Sequence, residues 1–513
     1  MGGKPEYLAN QVAPSSPGKS STDASSSSAS SADRSSFASS LCEVTEPLIA
    51  AVDTRRRGLS DQECGNYGSL NADLAAVDGK GGESGGDQIL VSAIANLSTA
   101  YNLAIINYAL MMLQRSYPNS SPELTSTVVS CSLVGAIVGQ LTFGYVGQVM
   151  GRRKGMIFTL LLSILGAVAS AVLPWGVDSV YQVLAACRFV LGVGVGGVYP
   201  LSAASAVESS DDELKKSKVV AAVFSFQGVG QLFAPFMAYV LLCLGADHFI
   251  GWRVLLLVGA LPGLFVLRQA FQVKEDVPPS SSAPQSVATQ ADAEASCRSE
   301  LWDTLCADAL LRRKLFGACA SWFLFDLTFY GNVIFTPIIL QSTYGWDKHH
   351  LSDVALCSLV VAAIALPGNL LTVLVVGKLS FKTIQIMGFL VMALLFLVLG
   401  LFFDQLLHFK GLLLGLYALT FFFSNFGPNV GTFCLPAEIF PEDVRVELNG
   451  VAAACGKLGA AVGAASFGLI EAQFGVSYLL ALSATVSLLG ALVTSRYIPA
   501  KHYHSSTRGR MGA

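Results

Sequence analysis

The chain has 513 residues, of which 53% are hydrophobic and only 13% charged, against roughly 25% charged residues in soluble domains. That composition points to a polytopic membrane protein. The net charge of −3 says nothing about nucleic acid, and no basic tract suggests such a partner. Eleven cysteines fall mostly in apolar runs and show neither CxxC nor Cys/His metal spacing. They read as small hydrophobes, and no metal, cofactor or disulfide framework is expected.

Residues 1–87 are rich in Ser, Ala, Gly and charge, with no cleavable signal peptide, and are expected to be a disordered cytoplasmic tail. Within it, Glu46-Pro47-Leu48-Ile49 loosely resembles an acidic dileucine sorting signal. Six apolar segments follow in an N-terminal half, 88–272, near 88–113, 124–147, 155–174, 179–206, 218–244 and 251–271. Each is long enough to cross a bilayer as a helix. A polar stretch, 273–314, reads as a cytoplasmic linker, with a short amphipathic helix expected at Trp302–Leu315. A C-terminal half, 315–498, carries six more segments, near 315–340, 353–377, 383–403, 411–435, 446–471 and 477–497. Residues 499–513 form a tail. The predicted fold is an all-α membrane protein of twelve transmembrane helices in two six-helix halves.

Basic residues set the orientation. Arg152, Arg153, Lys154, Lys215, Lys216, Lys218, Lys274, Arg312, Arg313, Lys314, Lys378, Lys382, Lys501, Arg508 and Arg510 all lie on one side, which is therefore cytoplasmic together with both termini. The opposite loops hold only Arg115, His248, Lys348 and Lys410 among basic and histidine positions noted there, with His349 and His350 beside them. Asn119-Ser120-Ser121 falls in the first outer loop as a glycosylation sequon, although Pro122 follows it.

Against this apolar background one acid stands out. Asp326 lies within 315–340, and Trp322, Asp326 and Tyr330 are spaced four apart, so a helix carries them on one face. An ionisable group at membrane depth costs at least ~2.5–3.5 kcal/mol on the translocon-insertion scale. The carboxylate, indole and phenol together read as a site lining a protected cavity. The competing account is an acid hydrogen-bonded for packing between helices.

Gly144-Tyr145-Val146-Gly147-Gln148-Val149-Met150-Gly151-Arg152-Arg153-Lys154, between the second and third segments, resembles the signature loop of the major facilitator superfamily. Gly377-Lys378-Leu379-Ser380-Phe381-Lys382 is a degenerate echo at the equivalent place in the second half. Three further segments narrow the resemblance: Arg188 to Ala203 with its glycines and Tyr199-Pro200, Trp322 to Gly331, and Phe422 to Asn429 followed by Pro436-Ala437-Glu438-Ile439-Phe440-Pro441 and Arg445. With Gly456-Lys457, they look like the proton-coupled inorganic phosphate transporters of plants and fungi. A GxGxxG element here follows no strand and opens no helix after one, so it is no nucleotide site.

The resemblance implies a phosphate pocket made by Tyr199, Gln227, Trp322, Asp326, Tyr330 and Asn425, with Lys457 beside it. It implies proton coupling at Asp326. Apart from any family, phosphate needs convergent donors, which Tyr, Gln, Trp, Asn and Lys supply. An ionised Asp326 would repel the anion, so it must be protonated or paired with Lys457 when phosphate binds, and proton and anion should enter together. For Gln227 and Asn425 the competing account is helix–helix hydrogen bonding; for Lys457 it is snorkelling. Gly144, Gly151, Arg152, Arg188, Glu438 and Arg445 read as gating or structural residues, with Arg188 and Glu438 placed near the cytoplasmic ends of their spans.

The chain departs from the family where protons are concerned. Family acids are replaced by neutral residues at Thr99, Asn102, Gln148 and Val198. Coupling is then left to Asp326 alone, to another ion, or is absent. The expected partners are inorganic phosphate, protons and the lipid bilayer, with the chain acting as a monomer in the plasma membrane or an endolysosomal or vacuolar membrane. Alternative cargoes are a glycerophosphodiester-type ester or another organic anion. A transporter-derived phosphate sensor is a different class of function, and an enzyme is not expected, since no nucleophile–base pair is readable in the spans.

Overall fold

The computed structural model describes residues 82–117, 122–176, 179–208, 212–273, 304–345 and 350–499. The acidic dileucine-like tetrapeptide, the Asn119 sequon and most of the linker lie outside them. Each apolar segment lies on a helix: α1 Gly82–Ser116, α2 Pro122–Val149, α3 Arg152–Val172, α4 Val180–Glu208, α5 Glu213–Cys243 and α6 His248–Gln272. In the second half come α7 Ala309–Tyr344, α8 Leu351–Val375, α9 Phe381–Leu401 and α10 Phe403–Ile439. Arg445–Tyr497 is continuous in hydrogen bonding but breaks at Gly475 (φ 81°, ψ 171°), giving α11 (445–474) and α12 (476–497). Only a residue without a Cβ takes that backbone conformation at little cost.

Among the described residues ten helices are long and apolar enough to span a bilayer, with the broken helix counted once and α7 not included. In hydrocarbon every backbone N–H and C=O must be satisfied within the chain, and the helix does this residue by residue. The outward faces are correspondingly apolar. Leu165, Leu394, Leu469 and Leu492 are each at least 60% exposed, as expected for side chains that meet lipid.

Two boundaries differ from the sequence expectation. α1 begins at Gly82, inside the expected tail. At the linker, the expected Trp302–Leu315 helix is divided: in its described part residues 304–307 are helical, Asp308 is not, and α7 runs unbroken from Ala309 through the apolar segment. A run of good helix formers, Ala-Leu-Leu-Arg-Arg-Lys, extends the span because nothing in it stops a helix.

The glycines of the signature loop serve close approach. At Gly144 an added Cβ would lie 3.3 Å from the Val446 carbonyl oxygen and 3.4 Å from Gly450 Cα, so α2 of one half lies directly on α11 of the other. Gly151 (φ 91°) makes the turn into α3. Arg152 then pairs with Glu208 at 2.6 Å, tying the start of α3 to the end of α4. In the echo loop Gly377 (φ 102°) turns against the Leu214 side chain at the start of α5.

On this same end of the molecule Ser217 of α5 donates to Glu438 of α10 at 2.5 Å. One step inward, Ser225 of α5 donates to the Asn369 carbonyl of α8 at 3.3 Å. The two halves are therefore in contact across the whole end that bears the signature loop.

Candidate functional site

α7 and α11 run side by side with almost no side chain between them. An added Cβ at Gly459 would lie 2.2 Å from the Phe323 carbonyl oxygen, and one at Gly463 would lie 2.2 Å from that of Leu327. Small residues every fourth position permit this approach. It fixes a register in which Asp326 and Lys457, 131 residues apart, meet at 2.7 Å.

Both side chains are 3% exposed or less, so the pair is fully withdrawn from water. Breaking such a pair leaves an uncompensated charge in a low dielectric. Aromatic rings enclose it. The Lys457 ammonium lies 4.4 Å from the Tyr330 ring centroid and 5.0 Å from that of Tyr199. Both are within cation–π range. The Trp322 indole bears on the Asp326 carboxylate and meets the Tyr199 ring edge-on at 6.3 Å. Gly456 makes room for that indole, since a Cβ there would fall 2.4 Å from Trp322 Cδ1.

Tyr199 links the halves. It extends from α4 toward α7 and α11, and its hydroxyl accepts a 2.7 Å hydrogen bond from Gln227 Nε2 of α5. Tyr199, Gln227, Trp322, Asp326, Tyr330 and Lys457 are thus joined in one continuous set of contacts drawn from both halves.

Asn425 is held differently. It lies in a turn of π-helix, Asn425–Asn429, where Pro428 has no N–H to give. Its amide nitrogen donates to the Ala365 carbonyl at 3.1 Å and its oxygen accepts from Asn429 at 2.7 Å. The first bond ties α10 to α8, and the second lies within α10.

A cavity of about 80 Å³ lies against this cluster, on the side away from the signature loop. Gln227, Gln231 and Tyr330 line it, and along α1, α7 and α8 it is bounded by Asn107, Tyr108, Thr336 and Ser358. These further polar residues carry amides and hydroxyls but no charge. Gln231 and Asn107 escaped the sequence analysis, although Gln231 lies one turn beyond Gln227 and so shares its face. Asn369 was also missed. Its side chain is buried without a partner among the described residues and lies 2.3 Å from where a Cβ at Gly228 would be.

Arg188 is not at the loop end of its helix as expected. It lies two turns into α4, fully buried, and donates to the backbone carbonyl of Asn102 on α1. Its Nε and Nη1 have no partner among the described residues. Asn102 in turn donates to the carbonyls of Ser98 at 3.0 Å and Gly259 at 2.8 Å. The N-terminal half therefore holds a buried guanidinium against neutral groups, whereas the C-terminal half holds a matched acid and base. Arg445 Nε donates to the Phe440 carbonyl at 3.3 Å, closing the turn between α10 and α11.

Comparison with known proteins places the chain. The Major Facilitator Superfamily matches residues 92–435. A protein of Toxoplasma gondii described as inorganic phosphate transporter PT2 is 32% identical over 431 residues, 83% of this chain and 74% of that protein. A probable inorganic phosphate transporter 1-6 of Arabidopsis thaliana is 32% identical over 467 residues, 79% of this chain and 90% of its own length. Among solved structures, the proton:xylose symporter XylE bound to 6-bromo-6-deoxy-D-glucose superposes with a TM-score of 0.67 at 21% identity, covering 80% of this chain and 95% of that one. At that identity the likeness concerns the fold alone.

Proposed function

Because the chain belongs to the Major Facilitator Superfamily, and within it to the inorganic phosphate transporters, we propose that it carries inorganic phosphate across a membrane by alternating access, with Asp326 as the proton-coupling group. The observation that carries the mechanism is the buried Asp326–Lys457 pair at 2.7 Å beside a cavity lined by neutral donors.

The pair is neutral as it stands. A phosphate anion approaching Lys457 while Asp326 is ionised would place two anions on one ammonium in a low-dielectric site. Protonation of Asp326 releases Lys457 to the phosphate, so the cation becomes available when the proton arrives. Tyr199, Gln227, Trp322 and Tyr330 supply neutral donors around it. With neutral residues at Thr99, Asn102 and Val198, and with Arg188 facing Asn102 rather than an acid, the proton path runs through Asp326 alone.

The cavity of about 80 Å³ has room for several water-sized groups. It suits a compact tetrahedral anion better than a diester with its alcohol arms. The abundance of cations at the signature-loop end supports a cytoplasmic position for both termini. A cavity formed between the two halves of one chain supports the single chain as the transporting unit.

The test is uptake of radiolabelled phosphate into proteoliposomes with and without an inward proton gradient. Uptake by the wild type should rise with the gradient. Asp326→Asn should lose that dependence. No uptake by the wild type, or an unchanged gradient response in the variant, overturns the mechanism, and strong competition by glycerophosphocholine overturns the choice of substrate.

A further inference from the structure

A second cavity, of about 180 Å³, lies at the signature-loop end of the C-terminal half, away from the transport site. Four helix ends converge on it. Lys314 comes from the start of α7, Ser380 and Lys382 from the start of α9, Glu438 and Ile439 from the end of α10, and Pro499 lies just past α12.

Two lysines therefore face one space. Lys314 Nζ lies 3.3 Å from the Ile439 carbonyl and Lys382 Nζ lies 3.0 Å from the Ser495 carbonyl. Each ammonium has three protons and uses one in these bonds. Among the described residues neither lysine has a carboxylate within ion-pair distance. Beside Lys314, the exposed Arg313 donates to the Arg496 carbonyl at 2.5 Å.

The N-terminus of α9 also opens here. Ser380 caps it, accepting from the Thr383 amide at 3.3 Å, and the 21-residue helix directs its positive end into the same space. The one acid on the cavity, Glu438, is engaged by Ser217 of the other half.

The level in the membrane is set by α7. Leu310 and Phe316, either side of Lys314, are 57% and 53% exposed, so the helix enters hydrocarbon at this height and Lys314 sits among lipid headgroups. A space of about 180 Å³ leaves room for more than one phosphate group.

We infer that the Lys314–Lys382 cavity binds an anion carrying two or more phosphate monoesters, either the headgroup of a phosphoinositide or a soluble inositol polyphosphate. Only the compartment from which the ligand comes rests on the cytoplasmic assignment of this face. Binding itself is independent of transport. Because Glu438 borders the cavity and also contacts Ser217, occupancy is felt at the closure between the halves. The bound anion repels Glu438 toward Ser217 and favours the closed state.

The experiment measures binding to the full-length protein in phosphatidylcholine nanodiscs. One arm includes about 5% phosphatidylinositol 4,5-bisphosphate in the lipid; a second adds inositol hexakisphosphate to discs without it; a third adds inorganic phosphate alone. At least one of the first two probes should bind, and which of them does so identifies the source. Lys314→Gln and Lys382→Gln should each weaken binding about fivefold, and the pair of changes more than tenfold. Glu438→Gln should tighten it by removing a like charge, and Lys410→Gln, at the opposite end of the molecule, should leave it unchanged. Equal binding by the wild type and the Lys314→Gln/Lys382→Gln variant overturns the site. So does binding of inorganic phosphate as tight as that of the polyphosphorylated probes. Melting temperatures of the variants, compared with the wild type, show that a loss of binding is not a loss of fold.

Discussion

At the scale of single residues the chain contrasts two buried cations. Lys457 has an acid at 2.7 Å, and Arg188 has only neutral partners. Removing one member of the first pair leaves the other charge uncompensated, so Asp326→Leu or Lys457→Met alone should destabilise the protein by about 3–5 kcal/mol. The double change should recover most of that loss, because it removes both desolvation penalties. Thermal unfolding in a single detergent gives the comparison, and a double variant as unstable as the worse single one would contradict it. At Arg188 a carboxylate is what is lacking. Asn102→Asp adds one beside the guanidinium but gives up the amide donations to the Ser98 and Gly259 carbonyls, so its melting temperature relative to the wild type should be higher at pH 7, with the new acid ionised, than at pH 4. The same change adds a second titratable group, so proton-driven uptake should become steeper in pH. No change in either measurement would mean that Arg188 is already compensated.

At the scale of elements the site depends on how closely two helices approach. Gly459 and Gly463 set α11 against the backbone of α7 at Phe323 and Leu327. A Cβ would strike a carbonyl oxygen in each case, and backbone cannot move aside as a flexible side chain can. Gly459→Val should therefore separate the helices and uncouple Lys457 from Asp326, with uptake lost even where protein still reaches the membrane. Cys319 and Cys455 occupy the next rung of the same register, and their thiols interact. Mild oxidation of purified protein should join them, and peptide mapping by mass spectrometry should find the linked fragments. Failure to form that bond would contradict the register. The spacing Cys455-x-x-x-Gly459-x-x-x-Gly463 is visible in the sequence as a packing face. Which helix it packs against is not, since any apolar helix presents a surface on which small residues could lie.

At the scale of the whole molecule the halves touch at one end and leave a cavity toward the other. Gly144 on Val446 and Gly450, and Ser217 on Glu438, close the signature-loop end. The cavity beside Tyr330 extends along α5 and α7 in the opposite direction, through Gln231 and Thr336. Alternating access requires the closed end to open. Ser217→Ala removes a hydrogen bond to a charged acceptor, worth about 1.5–3 kcal/mol, and should shift the closed-to-open ratio by about tenfold or more. Spin-label distances between the start of α5 and the end of α10 would show a longer population in the variant; an unchanged distribution would remove this contact from the gate.

The sequence by itself determined the membrane class, the position of each apolar helix and six residues, Tyr199, Gln227, Trp322, Asp326, Tyr330 and Lys457, that the fold brings together, but not Gln231, Asn107 or Asn369. Those properties are local: apolarity over some twenty residues selects a span, and a four-residue spacing selects a face. It also marked Asp326, because an acid in hydrocarbon is conspicuous without any knowledge of its neighbours. Tertiary structure alone decided that Lys457 lies against that acid at 2.7 Å, that Arg188 faces Asn102 instead of an acid, that Asn425 bonds the Ala365 carbonyl of α8, and that four helix ends make a basic cavity. Each of these is a contact between residues far apart in the chain, and helix register and glycine-permitted approach set such contacts rather than anything a single segment carries.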